Sequence, residues 1–251
     1  MKGVILAGGV GSRLDPLTRV TNKHLLPVYD RPMIYYPIQM LLAAGISEIL
    51  IVTGGQDAGD FLKLLGNGQD MGLDRLEYTY QDGEGGIADA LKLAEDFCDG
   101  GKMCVVLGDN LTERGIKNAV DDFMVQQSGA RILLKQVPNP ERFGVVRFDD
   151  SGNQRNIVEI VEKPVSPPSN YVVTGIYFYD ADVFEFCRAL SPSDRGELEI
   201  TDVNNMYLNR GDLEFSMLDG WWTDAGTIES LFEAANLVSR GVSNGYKGKL
   251  S

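Results

Sequence analysis

Lys2-Gly3-Val4-Ile5-Leu6-Ala7-Gly8-Gly9-Val10-Gly11-Ser12-Arg13-Leu14 decides the fold. An apolar, β-branched run, Gly3–Leu6, breaks off into glycines and then reaches a fixed cation, Arg13. Glycines directly after a strand let the backbone turn sharply and approach a phosphate with its N–H groups pointing inward. Three more short apolar runs follow, Glu48–Val52, Leu76–Gln81 and Met103–Leu107. Helical patterns separate the runs: Met33–Ala44, Gly59–Leu65, Gly86–Cys98 and Ile116–Gln127. Strand-helix alternation with nearly continuous apolar strands predicts an α/β, Rossmann-like fold with helices on both faces of a parallel sheet. Right-handed crossovers place ligands at the carboxyl ends of such strands. Three loops therefore meet at one edge: Ala7–Leu14, the segment after Gln81, and Gly108–Asn110.

The second half changes character. Strands are expected at Arg131–Val137, Gly144–Phe148, Ile157–Glu162, Val172–Tyr179 and Leu213–Leu218, with a turn at Asp149-Asp150-Ser151-Gly152. Helices are expected near Val183–Leu190, Leu198–Arg210 and Ile228–Arg240. This makes the sheet mixed, though mostly parallel, and adds an insertion to the first half. The reading is one domain over residues 1–240, with a flexible tail at 241–251, where three Gly and two Lys fall within eleven residues.

Composition excludes several functions. Lys and Arg number 23 against 36 Asp and Glu, a net charge of −13, which repels nucleic acid and anionic membrane. No apolar run approaches the roughly 18 residues of a membrane-spanning helix, and the start is too short for a signal peptide, so the expected location is cytoplasmic. Cys98, Cys104 and Cys187 show no Cys-x-x-Cys spacing and read as buried thiols. His24 is the only histidine and reads as structural. No Gly-x-Ser-x-Gly elbow exists for nucleophilic catalysis.

The glycine loop fits neither common phosphate motif. The dinucleotide fingerprint wants glycine where Leu14 stands, and the P-loop wants Gly-Lys-Ser/Thr. What remains is a nest followed by Arg13, with Lys23 ten residues on. Asp109, at the tip of a buried strand, is placed for Mg²⁺, which takes one or two protein carboxylates plus phosphate oxygens; the alternative is a helix cap. Asp224, in Trp222-Thr223-Asp224-Ala225-Gly226-Thr227, is the second such acid, although Thr227 is the better-placed cap for the following helix. Pro164 ends a strand at Glu162-Lys163, where adjacent side chains otherwise point to opposite faces. Gln81-Asp82-Gly83-Glu84-Gly85-Gly86 is another glycine-rich turn, and the Gln81 amide has the donor and acceptor to pair at two points with a nucleobase imide. Asp180-Ala181-Asp182 reads as helix capping.

Together these segments resemble the sugar-1-phosphate nucleotidyltransferases almost to Val238. The resemblance rests on the glycine loop, Lys23-His24-Leu25-Leu26-Pro27, Pro32-Met33-Ile34-Tyr35-Tyr36-Pro37 and Leu107-Gly108-Asp109-Asn110. It continues through Pro140-Glu141-Arg142-Phe143-Gly144-Val145-Val146, Glu162-Lys163-Pro164, Val173-Thr174-Gly175, Arg195-Gly196-Glu197-Leu198-Glu199-Ile200-Thr201-Asp202 and the Asp224 segment. It implies Mg²⁺-dependent transfer of dTMP from dTTP to glucose-1-phosphate, in a homo-oligomer of two or four chains. It also divides the domain into a nucleotide-binding part (about 1–130) and a sugar-binding part (about 131–225). Gly8, Gly11, Ser12 and Arg13 match the triphosphate cradle, Lys23 a cation at the reacting phosphates, and Gln81 and Gly86 the base-reading positions. Asp109 and Asp224 match the metal ligands. Asn110, Gly144, Glu162 and Val173 match the sugar-binding positions, with Lys163 and Arg195 on the sugar phosphate. Arg13, Lys23, Lys163 and Asp109 form the expected catalytic set.

Two departures stand out: Asp89, where the family usually has Gln, and Asp15, where an aromatic is usual. The chain resembles the short members without the extra C-terminal helices of a regulatory site. UTP or another hexose-1-phosphate, a non-catalytic sugar-nucleotide sensor and a glycosyltransferase are the competing readings. The last lacks a convincing metal-binding acid-x-acid.

Overall fold

The computed structural model describes residues 1–55, 58–149 and 155–241. The first half runs β1 (Lys2–Ala7), β2 (Pro27–Val28), β3 (Arg31–Pro32), α1 (Tyr35–Ala43), β4 (Glu48–Gly54), α2 (Ala58–Leu65) and β5 (Arg75–Gln81). It continues through α3 (Ile87–Lys92), α4 (Glu95–Cys98), β6 (Met103–Leu107), β7 (Asn110–Thr112) and α5 (Lys117–Val125). The second half adds β8 (Ala130–Gln136), β9 (Gly144–Asp149), β10 (Asn156–Glu162) and β11 (Tyr171–Tyr179). It closes with α6 (Val183–Ala189), α7 (Ile200–Arg210), β12 (Leu213–Met217), β13 (Trp222–Asp224) and α8 (Ile228–Ser239). Apart from Asp149, the expected turn at 149–152 lies outside the described residues, as does the expected tail beyond Gly241.

A nine-stranded mixed sheet has the order β10-β9-β11-β6-β1-β4-β5, with β8 beside β11 and β12 beside β8. It is parallel through β5, β4, β1 and β6, and turns antiparallel where β11 joins β6. This is the α/β, Rossmann-like arrangement that the alternating pattern predicts. Strand periodicity sends successive side chains to opposite faces. Val4, Leu6, Leu50, Val52, Met103 and Val105 pack into one apolar layer with residues of α3, α4, α6 and α7. Ile5, Ala7, Ile49, Ile51, Cys104 and Val106 enter the other, with α1, α2 and α5. Burial on both faces is why these strands read as unbroken apolar runs. All three cysteines are buried and unpaired. Among the described residues no helix is long and apolar enough to cross a membrane.

Two details differ from expectation. The helix over Gly86–Cys98 is two helices, because hydrogen bonding tightens to a three-residue spacing at Leu93 (to Ala90) and Ala94 (to Leu91). Two small ladders, β2 with β3 and β7 with β13, carry too few residues to show a period. The α8 cap is as expected: Thr227 and Ser230 form a capping box.

β4 ends on Gly54 because the loop after β1 crosses it. A Cβ there would lie 2.7 Å from the Gly8 carbonyl oxygen and 3.3 Å from that of Gln81. Gly54→Ala is therefore expected to cost about 1–3 kcal/mol of unfolding free energy and to push the Gly8 loop outward. Chemical denaturation checks the first effect, and nucleotide titration the second.

Candidate active site

Strand order alone lays the expected site residues in a line. Gln81 ends β5 at one edge, the Gly8 loop follows β1, and Asp109 follows β6 in the middle. On the far side the register sets Gly144 opposite Glu162 and Val145 opposite Val172. All of these ends open into one cavity of about 500 Å³. It is lined by Gly8, Gly9, Ser12, Arg13, Lys23, Gln81 and Gly86 toward one end, and by Asp109, Asn110 and Asp224. Gly144, Glu162, Lys163, Val173 and Arg195 complete the wall, with Tyr177.

Gly11 is the one expected nucleotide-binding residue that does not line it. Its left-handed conformation (φ 70°) instead starts the single turn Ser12–Leu14 that aims Ser12 and Arg13 inward. Asp15 also lies off the cavity and pairs with Arg19 at 2.7 Å on the surface.

The two acids meet through backbone pairing. β7 and β13 set Asn110 opposite Asp224, and the Ala225 N–H donates to the Asp109 carbonyl at 2.8 Å. A Cβ placed on Gly226 would lie 3.5 Å from Asp109 Oδ2, 3.7 Å from Asp224 Oδ2 and 3.1 Å from an Arg13 guanidinium nitrogen. Two carboxylates and a cation that all line the cavity thus converge within 3.7 Å of one point, at Gly226.

Their electrostatics differ. Burial opposes ionisation of Asp109, but Lys23, whose Nζ donates to Oδ2 at 2.6 Å, and Asn110, whose Nδ2 donates to Oδ1 at 3.1 Å, help hold its carboxyl below the usual range. Asp224 is pushed up to about 6, by burial first and then by the Asp109 charge, against the pull of Arg142, Arg13 and Lys23. A hard-oxygen pair with one member short of positive charge suits a divalent cation whose remaining ligands come from phosphate. Among the described residues no group of three or more His, Cys, Asp or Glu is arranged for a metal, so this pair is what the protein offers.

His24 is a packing residue, as read. It is 1% exposed, its Nδ1 meets Asn22 Oδ1 at 2.8 Å, and burial, then Lys23, depress it to about 3. It is neutral at physiological pH.

Lys163 directly follows β10 with φ +40°, a conformation L-residues rarely adopt, and lines the cavity together with Glu162. Arg195 sits among acids, donating to Glu199 Oε1 and Oε2 (2.8 and 2.9 Å) and to Glu162 Oε1 (3.4 Å). Asn110 is engaged within the protein: its Oδ1 accepts from Gly175 N (3.0 Å) and Trp222 Nε1 (2.7 Å).

Sequence reasoning gave no role to Arg142, 3.7 Å from Asp224 Oδ1, or to Thr201, whose hydroxyl donates to Glu162 Oε2 at 2.5 Å. Both lie inside motifs quoted for the resemblance; only the folded geometry marks them. Of the two acids expected to cap α6, Asp182 holds the N-cap position but makes no side-chain cap bond, whereas Asp180 accepts from Asp182 N at 3.2 Å, and also from Tyr207 Oη and Gly129 N, tying α7 to the start of β8.

A Rossmann-like sheet thus gathers a glycine loop, two convergent carboxylates and several cations around one cleft, the architecture of a transferase. The chain belongs to the nucleotidyl transferase family, whose model matches residues 2–241. It is 47% identical over 241 residues to the glucose-1-phosphate thymidylyltransferase of Neisseria gonorrhoeae, covering 95% of this chain and 82% of that one. It is 44% identical to the enzyme of the same name from Mycobacterium tuberculosis, with the same coverage. A Bacillus anthracis protein solved with sucrose, to which that activity is ascribed, superposes with a TM-score of 0.91 at 50% identity, covering 100% of this chain and 98% of that one. A UDP-glucose pyrophosphorylase shares the fold at 24% identity and a TM-score of 0.85.

The raised Asp224 gives a pH prediction for the metal-free protein. Its carboxyl ionises near 3.8 when unfolded and near 6 when folded, so its charge destabilises the fold progressively across that interval and fully above it. Asp224→Asn is expected to be about 1–3 kcal/mol more stable than wild type at pH 8, with the advantage vanishing below pH ~4. Thermal melts in chelator across pH 4–8 check this.

Proposed function

We propose that this chain transfers a dTMP group from dTTP to glucose-1-phosphate, giving dTDP-glucose and pyrophosphate. The observation that carries the reading is the convergence of Asp109, Asp224 and Arg13, all lining one cavity bordered by the Gly8 loop, within 3.7 Å of a single point. The names of the relatives supply the nucleotide and the sugar. We read one domain over residues 1–240, nucleotide-binding to about 130 and sugar-binding from about 131 to 225. The setting is cytoplasmic and the state homo-oligomeric.

Chemistry agrees with the site's composition. A sugar phosphate has a second pKa of about 6, so its oxygen is already an anionic nucleophile at neutral pH. No base is needed, and His24, held neutral and buried, is not asked to be one. The barrier is repulsion between two polyanions and charge building at the α-phosphorus. Ser12 and Arg13 hold the triphosphate from the β1 loop, and Lys23 brings its ammonium to the same corner. Lys163 and Arg195 draw the sugar phosphate from the opposite wall, where Glu162 and the backbone at Gly144 and Val173 face the sugar. The phosphate oxygen then attacks the α-phosphorus in line; the new P–O bond forms as the bond to the bridging oxygen breaks, and pyrophosphate carries the electron pair away. Asp109 and Asp224 would hold Mg²⁺, which neutralises phosphate charge when bound.

The test is pyrophosphate release across a grid of dTTP, UTP and other nucleotides against hexose-1-phosphates. Turnover is expected with dTTP and glucose-1-phosphate. Asp109→Asn and Asp224→Asn are each expected to lower kcat about a hundredfold or more while metal-free nucleotide binding changes little. Wild-type turnover in both variants ends the two-carboxylate scheme. Absence of release with every pair leaves a sensor.

A further inference from the structure

Gln81 is 6% exposed, lines the cavity and has its amide held from behind. Its Nε2 donates to Asp89 Oδ2 at 3.0 Å and to the Gly86 carbonyl at 3.2 Å. A carboxylate and a carbonyl only accept, so the side-chain nitrogen, and not the oxygen, must face them. Lys92 Nζ, 2.8 Å from Asp89 Oδ1, favours the ionised acceptor. The pocket for Asp89 is close-fitting: a Cβ on Gly85 would fall 2.4 Å from Asp89 Oδ2. Gly86 must be glycine for a related reason, having φ +93° and room for no Cβ within 2.7 Å of the Leu198 carbonyl. With both N–H bonds engaged, Gln81 keeps one free function. Its Oε1 accepts from no described residue and sits over the phosphate loop, where a Cβ on Gly8 would lie 2.9 Å from it. The two-point pairing expected of Gln81 is thereby reduced to a single acceptor.

We infer that Asp89 is a positioning residue that fixes the Gln81 amide with its oxygen toward the base, selecting nucleobases that offer an N–H at that edge. This rests on the proposed nucleotide site and deepens it. Thymine and uracil present N3–H there, whereas cytosine presents a lone pair that would oppose Oε1. An unconstrained glutamine could turn its amide over and serve either. Asp89 does not line the cavity and touches no substrate; it acts through Gln81.

Equilibrium titration with dTTP, dCTP and N3-methyl-dTTP tests this. Wild type is expected to bind dTTP at least about tenfold more tightly than either of the others, the cost of one mismatched polar contact. In Asp89→Asn, residue 89 can donate or accept, so only the Gly86 carbonyl still holds the Gln81 nitrogen and turning the amide over costs less. The dTTP-to-dCTP ratio should then fall about tenfold, with the melting temperature little changed because the lost Lys92 pair is about a third exposed. An unchanged ratio, or an equal loss for both nucleotides, overturns the inference. So does N3-methyl-dTTP binding wild type as well as dTTP does, a measurement that needs no variant to fold. If wild type binds none of the three, the functional reading itself falls. If it binds dTTP while the Asp89→Asn ratio stands, only the role of Asp89 falls.

Discussion

Two carboxylates repel, and this cavity depends on backbone forcing them together. The apposition of Asp109 and Asp224 is made by the short β7–β13 ladder and the Ala225 N–H bond to the Asp109 carbonyl, not by the acids themselves. Asp224 shows the cost: burial first, and then the Asp109 charge, drives its carboxyl up to about 6. Such a cost persists in a fold only where surrounding structure over-determines the geometry. Here Trp222 Nε1 and Gly175 N both hold Asn110, which in turn donates to Asp109. One asparagine therefore links β7, β13 and β11 to the acid at the centre of the sheet.

Charge works locally against the global balance. With a net charge of −13 the molecule as a whole repels polyanions, so capture falls to the few cations inside the cleft. Several of these are already paired: Lys23 with Asp109 and Arg195 with Glu199 and Glu162. Pairing keeps each side chain in a defined place, so less rotamer entropy remains to be lost when a phosphate arrives. The acids also leave the cleft close to neutral overall, so that bound phosphates, together with whatever cation the carboxylates hold, complete its charge.

Much of this was legible in the sequence, for reasons that can be named. Strands buried on both faces leave long apolar runs, so β1, β4 and β6 were readable; β5, a half-exposed edge strand, was readable from its place in the strand-helix alternation, and topology then fixed which loops share an edge. That Glu162 and Lys163 share the cavity was readable because Pro164 keeps β10 from running on past them. Gly11 was not: glycine in a nest serves either to contact the phosphate or to shape the turn, and only its φ of 70° and its place off the cavity separate the two. The β7–β13 ladder joins residues more than a hundred apart through three pairs, too short for any periodic pattern. Arg142 was hidden for the same reason, since its partner Asp224 is distant in the chain. The engagement of Gln81 by Asp89 lies only eight residues away, yet an isolated amide gives no sign of which end will be held.

A single histidine placed among Asn22, Lys23 and Gly108 shows how the cavity does without proton chemistry. A Cβ on Gly108 would come 2.6 Å from the His24 ring, so the imidazole fills the space beneath the Asp109 loop. Its Nδ1 is committed to Asn22, and burial keeps it neutral. Replacing it by a positively charged residue would put a second cation beside Lys23 with no acid left for it. A neutral, close-packed ring supports the loop without disturbing the Lys23–Asp109 pair above it. On the proposed reading no proton need pass through this ring, which suits a nucleophile that arrives already ionised.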